Sequence, residues 1–189
     1  MDKKISEAIL ERGYAIAVFD ADVSSRNEVE KKKLESIRKK YAKKKNVILC
    51  DSMTSIEYWF LLHFENTNRH FKDAAATEQE LKKHIPDYEK KVKFLQNIKW
   101  VSDMCADEKL ETAINRAKAF DHSGKSYSDV YKAFELLDRI KWSIGTWCYL
   151  VNIPGYIGKQ KTNTWYRIAY IDSNIHTDVL SIRLDFVLI

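Results

Sequence analysis

Two aspartates one residue apart, Asp20 and Asp22, follow an apolar run at residues 14–19. Such a run is typical of a strand buried on both faces of a parallel sheet. Residues i and i+2 of a strand point the same way, so both carboxylates would lie together at its carboxyl end, where α/β sheets bind ligands. Close carboxylates need a cation or a proton between them, and oxygen ligands favour Mg²⁺ or Mn²⁺. Alternatively, the aspartates only end the strand and cap the next helix.

A second hydrophobic segment, residues 51–64, contains Glu57 and His63. It predicts a helix buried on most sides that begins just after a strand. Glu57 would then lie on the same rim as Asp20 and Asp22 and supply a third carboxylate. The alternative for Glu57 is a capping box with Thr54, in which it reaches back to a free backbone N–H. The alternative for His63 is a buried imidazole bonded to a backbone carbonyl.

Periodicity around these residues predicts an α/β fold. The pattern gives a helix at 3–12 ended by Gly13, a strand at 14–19, a helix at 26–45 and a strand at 46–50. A strand, helix and strand in this order form a right-handed βαβ unit with parallel strands. The inner stripe of the long helix is expected to contain four residues: Val29, Leu34, Ile37 and Tyr41.

Later segments give weaker patterns. Helices are expected after three candidate capping residues, Thr77, Asp107 and Ser128, and the stretch 87–100 should be mostly helical. After residue 140 the chain is poor in charge and rich in Gly and Trp, and it predicts strands at 147–153, 165–171 and 179–189. We therefore expect a domain at 1–140 and a β-rich appendage at 141–189.

The composition argues against a membrane-spanning protein and against a disulfide or zinc framework. The chain of 189 residues has no apolar run long enough for a membrane span, and its basic start at residues 1–4 leads into no signal-peptide core. Its three cysteines have no metal-binding or disulfide spacing, which favours a reducing cytoplasm.

The net charge of +5 is concentrated at residues 26–45, where ten Lys or Arg face three Glu. This basic helix could bind nucleic-acid phosphates, and a solvated helix face is the alternative. The residues expected to bind phosphates are Lys31, Lys32, Arg38, Lys39 and Lys43.

Two segments resemble the RloB-like (AbiLii-type) phage-resistance family, whose members are similar to the Toprim fold group. Residues 18–22 are similar to its apolar strand ending in D-x-D, and residues 52–64 to its S-N-P-x-F-E-x-W-x-L-L-H-F signature. Met53, Thr54 and Ile56 depart from that signature, and residues 126–132 are loosely similar to the family's final helix.

The resemblance implies a Toprim-like parallel sheet flanked by helices and a Mg²⁺-dependent nuclease site in abortive infection. Asp20, Asp22 and Glu57 would be the catalytic and metal-binding residues, supported by Ser52 and His63. It also implies that the protein works beside an AAA-type ATPase. Residues 141–189 are then expected to pack on a partner, on a second copy in a homodimer, or on the missing front of the domain. The alternative is that they cover the domain's own sheet.

One departure leaves the function open. Toprim sites also use a Glu on an earlier strand, and only a short helix precedes the D-x-D here. The chain is therefore expected to be a fragment or a decayed copy, with an unpaired or oddly covered edge at the strand 14–19. A catalytically inactive regulatory subunit is the main alternative to a nuclease. Asp20 and Asp22 also resemble the first motif of haloacid-dehalogenase-type phosphatases, although the later acidic pair of that family is missing.

Overall fold

The computed structural model contains a short sheet with helices on both faces. The structure describes residues 1–10, 13–22, 28–120, 122–123, 125–144, 165–168 and 182–185. The elements are α1 (Asp2–Leu10), β1 (Ala15–Asp20), α2 (Glu28–Tyr41), β2 (Val47–Met53), α3 (Ile56–Leu61), α4 (Ala74–Leu81), α5 (Val92–Leu95), α6 (Ile98–Cys105), α7 (Lys109–Ala119), β3 (Tyr127–Ser128), α8 (Tyr131–Ile144), β4 (Trp165–Ile168) and β5 (Ile182–Asp185).

The predicted parallel pair is confirmed. β1 and β2 run parallel, in register from Ala15 opposite Val47 to Asp20 opposite Ser52, and α2 joins them. The two-residue β3 adds to β2 as an antiparallel neighbour, so the sheet has the order β1-β2-β3 and is mixed. The segment 126–132 therefore begins as a strand, and helix α8 starts only at Tyr131.

Alternate residues of β1 fill two hydrophobic clusters, because successive side chains of a strand point to opposite faces. Ile16 and Val18 pack with residues of α3, α7 and α8. Ala15, Ala17 and Phe19 pack with α1 and with the inner side of α2. The predicted stripe of α2 is correct for Leu34, Ile37 and Tyr41 but wrong for Val29, which is 61% exposed.

Several helix starts differ from those expected. Helix α4 is capped by Asp73, whose carboxylate accepts from the Ala76 N–H, while Thr77 lies buried inside the helix. Asp107 does not cap α7, because it and Glu108 both have left-handed backbone angles and Glu108 precedes the helix without a side-chain cap. The stretch 87–100 holds only α5 and the start of α6.

Two of the three strands expected in the appendage are present, as β4 and β5. β4 and β5 pair antiparallel, and β5 lies near β1 and α1. The predicted strand at 147–153 falls outside the described residues. Within the described part of the chain, β1 forms a ladder only with β2, so its other edge is unpaired there. None of the described helices combines the length and apolar character needed to cross a membrane.

Candidate functional site

Asp20 is the last residue of β1, and its side chain caps the N-terminus of helix α3. Its Oδ1 accepts a hydrogen bond of 2.9 Å from the backbone N–H of Ile56, the first residue of that helix. The expected capping box is therefore wrong: Ser55 makes no side-chain cap, and the Thr54 hydroxyl bonds to that of Thr77 at 3.0 Å. A carboxylate at a helix N-terminus is favoured by free N–H groups and by the helix dipole. This hydrogen bond fixes Asp20 at the start of the helix that carries Glu57.

Glu57 is a fully buried carboxylate with uneven partners. Its Oε1 accepts from the Tyr88 hydroxyl at 2.7 Å and lies 2.9 Å from the Lys90 ammonium. Its Oε2 is buried and has no hydrogen-bond partner among the described residues. Burying a charged oxygen without a partner is costly, so a cation, a proton or a water is expected there. Glu57 is therefore the most incompletely satisfied carboxylate of the site.

The pKa of Asp20 shows that the two carboxylates interact. Burial raises this pKa to about 6; the Ile56 hydrogen bond and the Lys90 charge lower it, and the charges of Glu57 and Asp22 raise it. Asp22 is itself buried, and the Ala21 N–H bonds to the Ser52 carbonyl at 2.9 Å just beyond the strand pair. The charges of Asp22 and Glu57 thus both act on Asp20 at the carboxyl end of β1.

A divalent cation at this edge of the sheet would have few protein ligands, and waters or substrate would supply the others. Among the described residues, no group of three or more His, Cys, Asp or Glu side chains is arranged to hold a metal ion. Mg²⁺, however, is commonly held by one or two carboxylates, with waters and substrate phosphates completing its shell. The free Oε2 of Glu57 and the carboxylate of Asp20 suit such a site, and Lys90 already supplies one positive charge to it.

Ser52 and His63, the expected supporting residues, have different surroundings. Ser52 is opposite Asp20 in the sheet, and its buried hydroxyl bonds to that of Ser128 at 2.8 Å. His63 Nδ1 donates to the Trp59 carbonyl at 3.0 Å. Burial lowers the pKa of His63 to about 4, and the charges that act on it are those of Arg116 and Lys109. His63 is thus a neutral core residue at the other end of the helix.

The basic helix α2 lies on the opposite face of the sheet from Asp20. Lys31, Lys32 and Lys39 of α2 are exposed, as is Lys43 just beyond the end of the helix at Tyr41, and Lys31 lies 3.9 Å from Glu28 in a long ion pair. Arg38 is about half-exposed, and its Nη2 lies 2.6 Å from Asp51 Oδ2. Arg38 therefore neutralises a buried carboxylate, while the lysines remain available to a phosphate backbone.

Sequence reasoning missed a second group of charges on that side. Asp51 also accepts from the Tyr127 hydroxyl at 2.7 Å. Close by along the chain, Asp129 lies 2.6 Å from the Lys132 ammonium and 3.1 Å from His122, which stacks on Tyr127. No signal in the sequence pointed to Asp51, because its partners Arg38 and Tyr127 are 13 and 76 residues away.

A family model described as RloB-like protein matches residues 4–137, which is more than half of the chain. No curated protein and no solved structure gives a significant match. The matched range contains both the D-x-D strand and the segment of Glu57, and it ends within α8. The chain therefore belongs to the RloB-like family.

Proposed function

We propose that the protein is a divalent-cation-dependent nuclease of the RloB-like family, with Asp20, Asp22 and Glu57 as its acidic site. The observation that carries this proposal is the buried Oε2 of Glu57, which lacks a partner among the described residues beside a second carboxylate with a raised pKa. A purely structural site would be expected to satisfy both oxygens with protein donors. An edge that keeps an oxygen free is suited to an ion that arrives with its substrate.

Each residue has a task in this proposal. Asp20 and Glu57 would hold Mg²⁺ or Mn²⁺, and the ion would supply charge stabilisation for a phosphodiester and activation of a water. The Ile56 N–H fixes the orientation of Asp20, and the Tyr88 hydroxyl fixes that of Glu57. Asp22 adds negative charge to the same edge, and the lysines of α2 draw the nucleic acid to the surface.

The test is cleavage of single-stranded and duplex DNA and RNA with Mg²⁺ or Mn²⁺. Asp20→Asn and Glu57→Gln should each reduce the rate by about 10²-fold or more, because each removes a charge that holds the cation. Glu135→Gln is the matched control, since Glu135 is a surface carboxylate paired with Lys118 at 2.9 Å. Cleavage that survives both site variants would contradict the proposal. Asp20-dependent turnover of a phosphomonoester would instead indicate a phosphatase.

A regulatory subunit without catalysis is the second candidate. It is favoured by the ion pair between Lys90 and Glu57 and by the lack of a three-ligand group in the described part. Wild-type protein that binds no Mn²⁺ at millimolar concentration and cuts no nucleic acid would favour this candidate.

The family resemblance also leads us to propose a role in phage defence beside an AAA-type ATPase. The isolated chain is then expected to be weakly active and to gain activity when the ATPase encoded next to it is added. Light scattering would separate this partnership from a homodimer. A fully active monomer that does not respond to the ATPase would contradict the proposed partnership.

A further inference from the structure

Lys90 is a cation that already lies in the carboxylate site. Its ammonium is 2.9 Å from Glu57 Oε1, and its charge lowers the pKa of Asp20. The Glu57 side chain has no exposed surface, whereas that of Lys90 is 45% exposed. The positive charge therefore reaches a buried carboxylate from a residue whose stem is open to solvent.

The position of Lys90 in the chain allows its side chain to move away from Glu57. It lies in the irregular stretch between α4 and α5, in which Tyr88 is also bonded to Glu57. Tyr88 is almost fully buried and packs on three rings, those of Phe60, Phe94 and Trp100. Tyr88 thus anchors the stretch, and the flexible lysine beyond it needs only a change of rotamer to move into water.

We propose that Lys90 is a built-in competitor for the divalent cation, so that its ammonium and the metal are alternative counter-ions of Glu57. This inference rests on the proposed function, because it assumes that the metal binds at Asp20 and Glu57. A divalent cation at Glu57 Oε2 would lie close to the Lys90 ammonium on Oε1, and the two positive charges would repel each other. Metal binding is therefore expected to drive Lys90 outward, and the Lys90–Glu57 pair to weaken metal binding.

The expected consequence is a reduced apparent metal affinity. When the binding-competent form is only a fraction of the molecules, the apparent Kd rises by the inverse of that fraction. If the Lys90–Glu57 pair is formed in roughly nine molecules out of ten, removing it should tighten Mn²⁺ binding about tenfold.

The experiment is a Mn²⁺ titration of the full chain, without nucleic acid, that follows free Mn²⁺ by electron paramagnetic resonance. Lys90→Met should bind Mn²⁺ about tenfold more tightly than wild type, and Lys90→Arg, which keeps the charge, should stay within about twofold of it. Lys91→Met is the matched control, because the neighbouring Lys91 pairs with Glu89 at 3.0 Å and is 75% exposed. Adding Glu57→Gln to Lys90→Met should remove the gain.

A second measurement uses the wild type and does not depend on the variants folding. Acetylation of Lys90 by acetic anhydride, followed by peptide mass spectrometry, should speed up when Mn²⁺ is added, with Lys91 as the internal reference. Mn²⁺ binding that is equal in Lys90→Met and wild type, with unchanged acetylation of Lys90, would overturn the inference and leave the proposed function standing. No Mn²⁺ binding in wild type, Lys90→Met or Lys91→Met would overturn both.

Discussion

Two buried carboxylates lie on opposite faces of the same small sheet and take their partners from different parts of the chain. Asp51 and Ser52 are successive residues of β2, so their side chains point to different faces, and Ser52 shares its face with Asp20. Asp51 is held by a guanidinium and a phenol, at 2.6 Å and 2.7 Å, both on Oδ2. Glu57, on the Asp20 side, likewise has a phenol and an ammonium on one oxygen, and its other oxygen is fully buried with no described partner.

The difference indicates which carboxylate is structural. The partners of Asp51 come from α2 and β3, so this residue links two elements to the central strand. Such a pair is expected to be needed for folding, because breaking it leaves a buried group without compensation. The partners of Glu57, Tyr88 and Lys90, both come from one irregular stretch. Lys90 and Arg38 are exposed to a similar extent, so the difference lies in how many elements each carboxylate links. Because Glu57 links only that one stretch to α3, we expect it to be the carboxylate that can exchange partners.

The largest expected effect is on stability at Asp51. Asp51→Asn should lower the free energy of unfolding by about 2–3 kcal/mol, because the buried Tyr127 hydroxyl loses a charged acceptor and the new amide N–H group faces the donors of Arg38 and Tyr127. Glu57→Gln should cost less than about 1 kcal/mol, since it removes a buried charge whose oxygen is unsatisfied and frees Lys90 to water. Urea denaturation of both variants measures the difference. Equal losses would remove the distinction between a structural and an exchangeable carboxylate.

Local patterns in the sequence were sufficient to predict part of the fold. The apolar runs of β1 and β2 and the stripe of α2 depend on neighbouring residues, and they appear where expected except for Val29, which is exposed. β3 could not be predicted, because it has two residues and gains its identity from pairing with Ser52 and Met53, far away in the chain. Long-range pairing of this kind leaves no periodicity in a short segment.

The site was predicted only in outline for the same reason. Asp20 and Glu57 stand out because charged residues next to apolar runs are unusual. Their partners Tyr88 and Lys90 lie in a charged stretch with no distinctive pattern. The Thr54–Glu57 spacing fits a capping box, but Asp20 occupies the helix end instead and releases Glu57 to the interior. A tertiary interaction has overridden a local preference.

The pKa shifts of Asp20 and His63, near the two ends of helix α3, predict opposite pH dependences of stability. Asp20 has its pKa raised from 3.8 to about 6, so its contribution to stability is present below pH 4 and is lost as pH rises through 6. His63 has its pKa lowered from 6.5 to about 4, so its contribution is present above pH 6.5 and is lost as pH falls towards 4. The two effects oppose each other across the same pH range.

Single substitutions should separate these effects. Asp20→Asn should be more stable than wild type at pH 8 and lose that advantage towards pH 4, by about 1–2 kcal/mol after allowance for solvent screening. His63→Gln should show the reverse slope relative to wild type, with a change of about 2–3 kcal/mol. Thermal unfolding from pH 4 to pH 8 measures both slopes, and the double variant should be the flattest. Parallel slopes for the two single variants would contradict the assigned pKa shifts.

The smallest expected effect on stability is at the basic helix. Changing Lys32, Lys39 and Lys43 together to Gln should alter the free energy of unfolding by about 0.5 kcal/mol or less per residue, because all three side chains are exposed. Binding to nucleic acid should weaken at all sequences alike, since phosphate interactions carry no base information. The slope of log K against log salt should fall by up to about 3, or roughly one for each lysine–phosphate pair that the substitutions remove.

The matched control is a triple change of Lys82, Lys83 and Lys99 to Gln, because each of these lysines already pairs with a carboxylate near it in sequence. It removes the same net charge and should leave the salt slope nearly unchanged. Filter binding or fluorescence anisotropy at several salt concentrations gives both slopes. Equal weakening in the two triple variants would mean that net charge alone attracts nucleic acid. In that case α2 would be an ordinary solvated face, and the nucleic acid would be expected to bind nearer Asp20 and Glu57.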